Sequence, residues 1–180
     1  MTPNLARRPD PGEHVPYYAP YVQLVPDGDV LATLAAQIGE TVSLLDGLAA
    51  ERAAHRYAPG KWSLRQVVGH VADAERVFAY RALAFARGDR GELPGFDENA
   101  YAEASPSVER PLAEAVADLA AVRGATLSLF RALAPEAWSR RGVANGNPIT
   151  VRALAWIIAG HERHHVGVLR ERYLERGGPG

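Results

Sequence analysis

Four stretches of this chain repeat apolar residues every three or four positions and none alternates them, so the sequence can bury its apolar surface only by packing helices together. The first starts at Asp29, a competent N-cap, and carries Leu31, Leu34, Ile38, Val42, Leu45 and Leu48. In the second, Ser63 and Gln66 are spaced as a capping box ahead of Leu64, Val67, Val68, Val71, Phe78, Ala82 and Phe85. The third, with Ser107 as its cap, carries Leu112, Val116, Leu119, Val122, Thr126, Phe130 and Leu133 up to Pro135. Thr150 caps the fourth, which holds Val151, Leu154, Ile157, Ile158, His161, His165, Val168 and Leu169. The spacing predicts an all-α four-helix bundle over residues 29–176. Ahead of it, residues 1–28 contain Pro3, Pro9, Pro11, Pro16, Pro20 and Pro26 among Tyr17, Tyr18 and Tyr21, which predicts an extended arm with its tyrosines laid on the bundle. Two loops, around Asp97 to Tyr101 and Arg140 to Pro148, are the expected walls of a pocket.

Charge and composition narrow the function classes. With 20 basic and 21 acidic residues the formal net charge is -1, so the electrostatic footprint of a nucleic-acid binder is missing. Without any cysteine the chain has no disulfide framework, no thiolate ligand and no cysteine nucleophile, and any thiol chemistry must use a thiol from outside. The longest apolar run, Ala153 to Gly160, is far shorter than the roughly 20 residues that span a bilayer, and the N-terminus lacks a hydrophobic signal core. The expectation is a soluble, cytoplasmic protein that binds neither membrane nor nucleic acid.

The fourth helix carries the chemistry. His161 and His165 lie one turn apart in the middle of the stripe made by Leu154, Ile158, Val168 and Leu169, so both imidazoles point into the bundle. Burying two such rings without partners would cost on the order of a few kcal/mol each. A shared metal ion would satisfy both; so would backbone carbonyls or buried carboxylates, the ordinary fate of a core histidine. His70 sits at the flank of the stripe Val67, Val71, Ala74 and Phe78, where it could meet the fourth helix if the two are neighbours. A third imidazole would complete an open tetrahedral site with water in the last position.

His161-Glu162-Arg163-His164-His165 also fits the H-E-x-x-H pattern of zinc proteases. The long form of that motif needs a glycine and a third histidine where this chain has Val168 and Glu171, and a protease is not the reading adopted. Glu162 is left as a candidate proton carrier or partner of a ligand, against the plainer alternative of an exposed glutamate. His164 reads as a rim residue, and His14 and His55 as loop residues without a role. Trp156 points away from the histidine face, which places it on solvent or under a second chain and favours a homodimer.

The segments Gly60-Lys61-Trp62-Ser63-Leu64 through Gly69-His70-Val71-Ala72-Asp73-Ala74-Glu75 and Gly160-His161-Glu162-Arg163-His164-His165 resemble the two signatures of the DinB-like metal-binding superfamily. Leu93-Pro94-Gly95-Phe96-Asp97-Glu98-Asn99 and Arg141-Gly142-Val143-Ala144-Asn145-Gly146-Asn147-Pro148 extend the resemblance over nearly the whole chain. It implies an up-down-down-up bundle, commonly dimeric, in which His70, His161 and His165 hold one divalent ion such as zinc, nickel or iron. It also implies small-molecule chemistry: the better-understood branches transfer bacillithiol or mycothiol to electrophiles, or isomerise maleylpyruvate with a thiol. The first expectation is therefore a metal-dependent enzyme joining an external low-molecular-weight thiol to a small electrophile. A metal-dependent hydrolase using Glu162, and a stress-associated metal-binding protein without turnover, are the alternatives.

Overall fold

The computed structural model describes residues 7–106 and 109–174. Four helices form the bundle: α2 (Val30–Leu45), α4 (Leu64–Ala86), α6 (Leu112–Arg131) and α7 (Val151–Val168), the last running on into a π-helical turn, Leu169–Leu174. Their starts follow from local chemistry. Asp29 accepts hydrogen bonds from the Leu31 and Ala32 amides, Ser63 and Gln66 close a capping box, and Thr150 accepts from the Ala153 amide. Ser107 lies outside the described residues, and α6 begins with Pro111 at its N-cap position. The predicted boundary at 176 and the closing glycines also lie outside the described residues.

Two apolar clusters fix the directions of the helices. One joins Val30 and Leu34 of α2 to Phe78 and Phe85 of α4, Leu127 and Phe130 of α6, and Leu154 and Ile158 of α7. The other joins Leu45, Val67, Val71, Leu112, Leu119 and Leu169. Thus α2 runs with α7 and against α4 and α6, the up-down-down-up arrangement. In the ring of neighbours α2 packs on α6 and α7, as does α4, so α2 lies diagonally across the core from α4, and α6 from α7.

Between the clusters lies a polar layer that the apolar pattern did not disclose. Arg123, 1% exposed, takes the stripe position expected for Val122, and Gln37 and Thr41 occupy the buried face of α2 while Val42 is exposed. Arg123 donates from Nε and Nη2 to the Glu75 carboxylate (2.9 and 2.8 Å), from Nη2 to Glu162 (2.7 Å) and from Nη1 to the Leu34 carbonyl (2.9 Å). Thr41 Oγ1 donates to the other Glu162 oxygen at 2.7 Å, and the Gln37 amide donates to both Glu162 and the Ala159 carbonyl. Each charge in this layer is met by an opposite one, the condition for tolerating charge in a core.

The arm corrects a prediction. It is folded rather than extended: 3-10 turns at Pro11–Glu13 and Pro16–Tyr18 lead into the short helix α1 (Ala19–Leu24). Pro11, Pro16 and Pro20 sit in first turns, where the missing N–H costs nothing and the fixed φ suits a helix. α1 packs along α7, and Gly160 is the reason it comes so close: a Cβ there would run into the Tyr21 carbonyl. The arm also buries Trp156 completely, with the Arg8 guanidinium 4.9 Å from the ring centroid and anchored on the Val22 and Val25 carbonyls. Trp156 is therefore covered by its own chain, and the homodimer expectation rests on the resemblance alone. Gly160→Ala should cost about 1–3 kcal/mol and free the arm to limited proteolysis before the bundle melts; unchanged protease resistance and melting temperature would show that the arm adjusts instead.

The loops hold two shorter helices, α3 (Ala50–Ala54) and α5 (Glu98–Ala104), and a hairpin that the periodicity did not reveal. Its strands, β1 (Arg141–Ala144) and β2 (Asn147–Thr150), pair antiparallel. Asn145 and Gly146 at φ 52° and 73° make the tight turn between them, as an Asn-Gly pair does most readily.

Candidate metal centre

His70 comes from the second turn of α4, and His161 and His165 from one face of α7. Because α4 and α7 are antiparallel neighbours, these positions fall at the same height. His161 Nε2 lies 3.1 Å from His70 Nε2 and 3.2 Å from His165 Nε2. His70 and His161 are buried and His165 half-buried; no aspartate, glutamate or cysteine joins them in a ligand-like group among the described residues. Trp62 packs against His70, and Phe78 and Tyr21 against His161, at ring distances of 4.7, 5.9 and 5.5 Å. Those rings fix the imidazoles and remove water from around them.

Burial pushes all three histidines toward the neutral form. His70 falls to about 4, with the charge of His164 adding to desolvation. His161 falls to about 3 through burial and then its imidazole neighbours, and His165 lies further down for the same reasons. Neutral rings have lone pairs to give. One lone pair accepts one N–H, so hydrogen bonding among the three converging nitrogens satisfies at most one of the two close contacts. A divalent cation satisfies all three: a tetrahedral ion with nitrogens at about 2.0–2.1 Å spaces them roughly 3.3 Å apart, close to the spacing here. The residues present thus fit a metal ion.

The depressed values carry a sign for stability. A histidine that is neutral when folded but titrates near 6.5 when unfolded gives the unfolded chain more bound protons in acid. For the metal-free protein, stability is expected to be flat above about pH 7 and to fall as the pH drops from 6.5 toward 4. Denaturant titrations at pH 7.5 and 5.0 check this, and equal midpoints would show that the imidazoles are solvated.

His70 and His161 floor a cleft of about 250 Å³ whose wall includes Tyr17, Tyr18, Tyr21, Phe96, Glu98 and Asn145. The two loops expected to form walls do so through Gly95, Phe96 and Glu98 and through Ala144, Asn145 and Asn147, whereas Tyr101 faces another groove. The arm's tyrosines were expected on the body of the domain; the structure puts them at the cleft. Tyr21, pushed up to about 12 chiefly by burial, is an un-ionised phenol there at neutral pH.

Glu162 departs from the surface reading. It is 1% exposed, not a surface residue, and its oxygens are held by Gln37, Thr41 and Arg123, partners from α2 and α6. The histidines meet α4 and the arm instead, so adjacent residues of α7 serve opposite sides of the helix. His164 is exposed, as expected, with Tyr21 against it, and His14 and His55 stand apart from the cluster.

Fold and cluster together define a class: helical bundles with a three-imidazole cluster beside a cleft. Residues 33–169 match the DinB superfamily, and the chain belongs to that family. A protein of Oceanobacillus iheyensis, provisionally named as the metal-dependent hydrolase OB0413, is 28% identical over 142 residues, covering 78% of this chain and 79% of its own. Among solved structures, YfiT from Bacillus subtilis, provisionally described as a metal-dependent hydrolase with an unusual four-helix bundle topology, superposes with a TM-score of 0.66. It is 22% identical, and the match covers 93% of this chain and 95% of YfiT, which shows the shared fold. Among the described residues no helix is long and apolar enough to cross a membrane.

Proposed function

We propose that this protein is a metal-dependent enzyme that joins a low-molecular-weight thiol to a small electrophile, with His70, His161 and His165 holding one divalent ion. The observation that carries this reading is the convergence of three neutral imidazole nitrogens, two of them at the floor of a cleft, with no carboxylate in the cluster among the described residues. When bound, such an ion would supply an open position that lowers the pKa of a thiol or water placed there.

The chain's own residues divide the remaining work. His70, His161 and His165 offer lone pairs because burial keeps them unprotonated. Tyr17, Tyr18, Tyr21 and Phe96 give the cleft an aromatic wall that excludes water from an apolar electrophile. With an organic halide as the electrophile, the thiol sulfur forms a bond to carbon as the carbon–halogen bond breaks. The halide leaves with the bonding electron pair and the thiol proton passes to solvent. A thiol attack of this kind needs no protein base, which suits a site where the adjacent Glu162 is bound elsewhere.

The hydrolase reading has support of its own in the names of the relatives, and Glu98 in the cleft wall would be its proton acceptor. The two are separated by supplying metal-loaded protein with monochlorobimane and a panel of bacillithiol, mycothiol, glutathione and cysteine, beside p-nitrophenyl acetate without thiol. Thiol-dependent conjugation that disappears in His161→Ala supports transfer. Metal-dependent ester cleavage that ignores thiols and is lost in Glu98→Gln would replace it with hydrolysis.

A further inference from the structure

The buried arginines of this chain divide into two kinds. Arg123 is neutralised by Glu75 and Glu162 in the core. Arg81, on α4 and only 4% exposed, has no carboxylate within ion-pair distance among the described residues. Its Nη2 donates to the Pro94 carbonyl at 2.8 Å, its guanidinium lies 5.8 Å from the Phe78 ring centroid, and the Tyr18 phenol is close enough to feel its charge. A guanidinium stays charged at any physiological pH and has five N–H donors in a planar fork. Its surroundings supply one carbonyl, the Tyr18 phenol oxygen as a hydrogen-bond partner and one ring face, but no counter-charge. Arg81 also lines the cleft that His70 and His161 floor, so whatever enters the cleft meets it. Glu98, the carboxylate in the same wall, is exposed and forms no ion pair with it.

We infer that Arg81 is the recognition residue of the cleft and that the molecule bound there carries a carboxylate, which supplies the missing counter-charge while its reacting end reaches the three histidines. Planar carboxylates match the guanidinium fork through two parallel hydrogen bonds. The cleft, about 250 Å³, is of the size that takes a small acid. The identity of the reaction rests on the proposed function; the carboxylate subsite does not, because it needs only the cleft and Arg81.

The test uses the metal-free protein first, so that no ion can hold the carboxylate. Calorimetric titration with 3-mercaptopropionate and with its methyl ester should show the acid binding at least tenfold tighter. In Arg81→Gln, checked for an unchanged circular dichroism spectrum, the preference should fall below twofold, and Arg81→Lys should recover only part of it. Equal binding of acid and ester by the wild type overturns the inference without any variant, as does a preference that survives in Arg81→Gln. A second arm on metal-loaded protein compares 4-(chloromethyl)benzoate with its methyl ester in kcat/KM at fixed 2-mercaptoethanol, and so shows whether the electrophile brings the acid. An Arg81-dependent acid preference without conjugation of any thiol would sink the transferase reading and leave the subsite standing. Conjugation without an acid preference in either arm would do the reverse.

Discussion

Arg123→Met is expected to destabilise the bundle by roughly 3–5 kcal/mol, the usual cost of removing one partner from a buried ion pair. Two carboxylates, Glu75 and Glu162, would be left in a layer where both are about 1–2% exposed, and the Leu34 carbonyl would lose its donor. Denaturant unfolding measures the loss. Adding Glu75→Gln and Glu162→Gln to the same chain should recover a large part, because the amides remove the buried charge and keep the shape. A loss below about 1 kcal/mol in the single variant would mean that water reaches the layer and that the triad is solvated.

Equally large, on metal content rather than stability, is the effect expected of His161→Ala. His161 is the central member of the cluster, within 3.1 and 3.2 Å of the other two nitrogens. Its loss leaves two imidazoles that no longer close a site, and bound metal should drop from about one equivalent to none by elemental analysis of protein purified without a histidine tag. His70→Ala should behave alike. Glu162→Gln should keep its metal, since that side chain belongs to the Arg123 layer. The bundle itself should persist, because its two apolar clusters do not depend on the imidazoles. A full equivalent retained in His161→Ala would show the ligand set to be wrong.

The sequence was most informative wherever function depends on neighbours within one helix. The spacing of His161 and His165 in an apolar stripe places both rings on one face whatever else packs there, and three of the four bundle helices announced their starts through Asp29, Ser63 with Gln66, and Thr150. His70 was a conditional ligand candidate, because its meeting with α7 depends on which helices are neighbours. The polar layer was less legible. A stripe drawn through apolar residues skips Gln37, Thr41 and Arg123, although Arg123 follows Leu119 by four positions and so lies on the buried face. A charge at that register was a signal, but only its partners on other helices make it affordable.

The arm shows the same division. Its prolines and tyrosines predicted contact with the bundle, yet not the helical turns they form, nor that Tyr21 would cover His161 and Arg8 would cover Trp156. What the sequence by itself determined is the helical class, the ends of most helices and the paired imidazoles, because each follows from interactions within about one turn of chain. Only the tertiary structure decided that His70 completes the cluster, that Glu162 turns to Arg123, and that Arg81 faces a cleft without a counter-charge. Those depend on which helix lies beside which, and that is settled by the packing of the whole core.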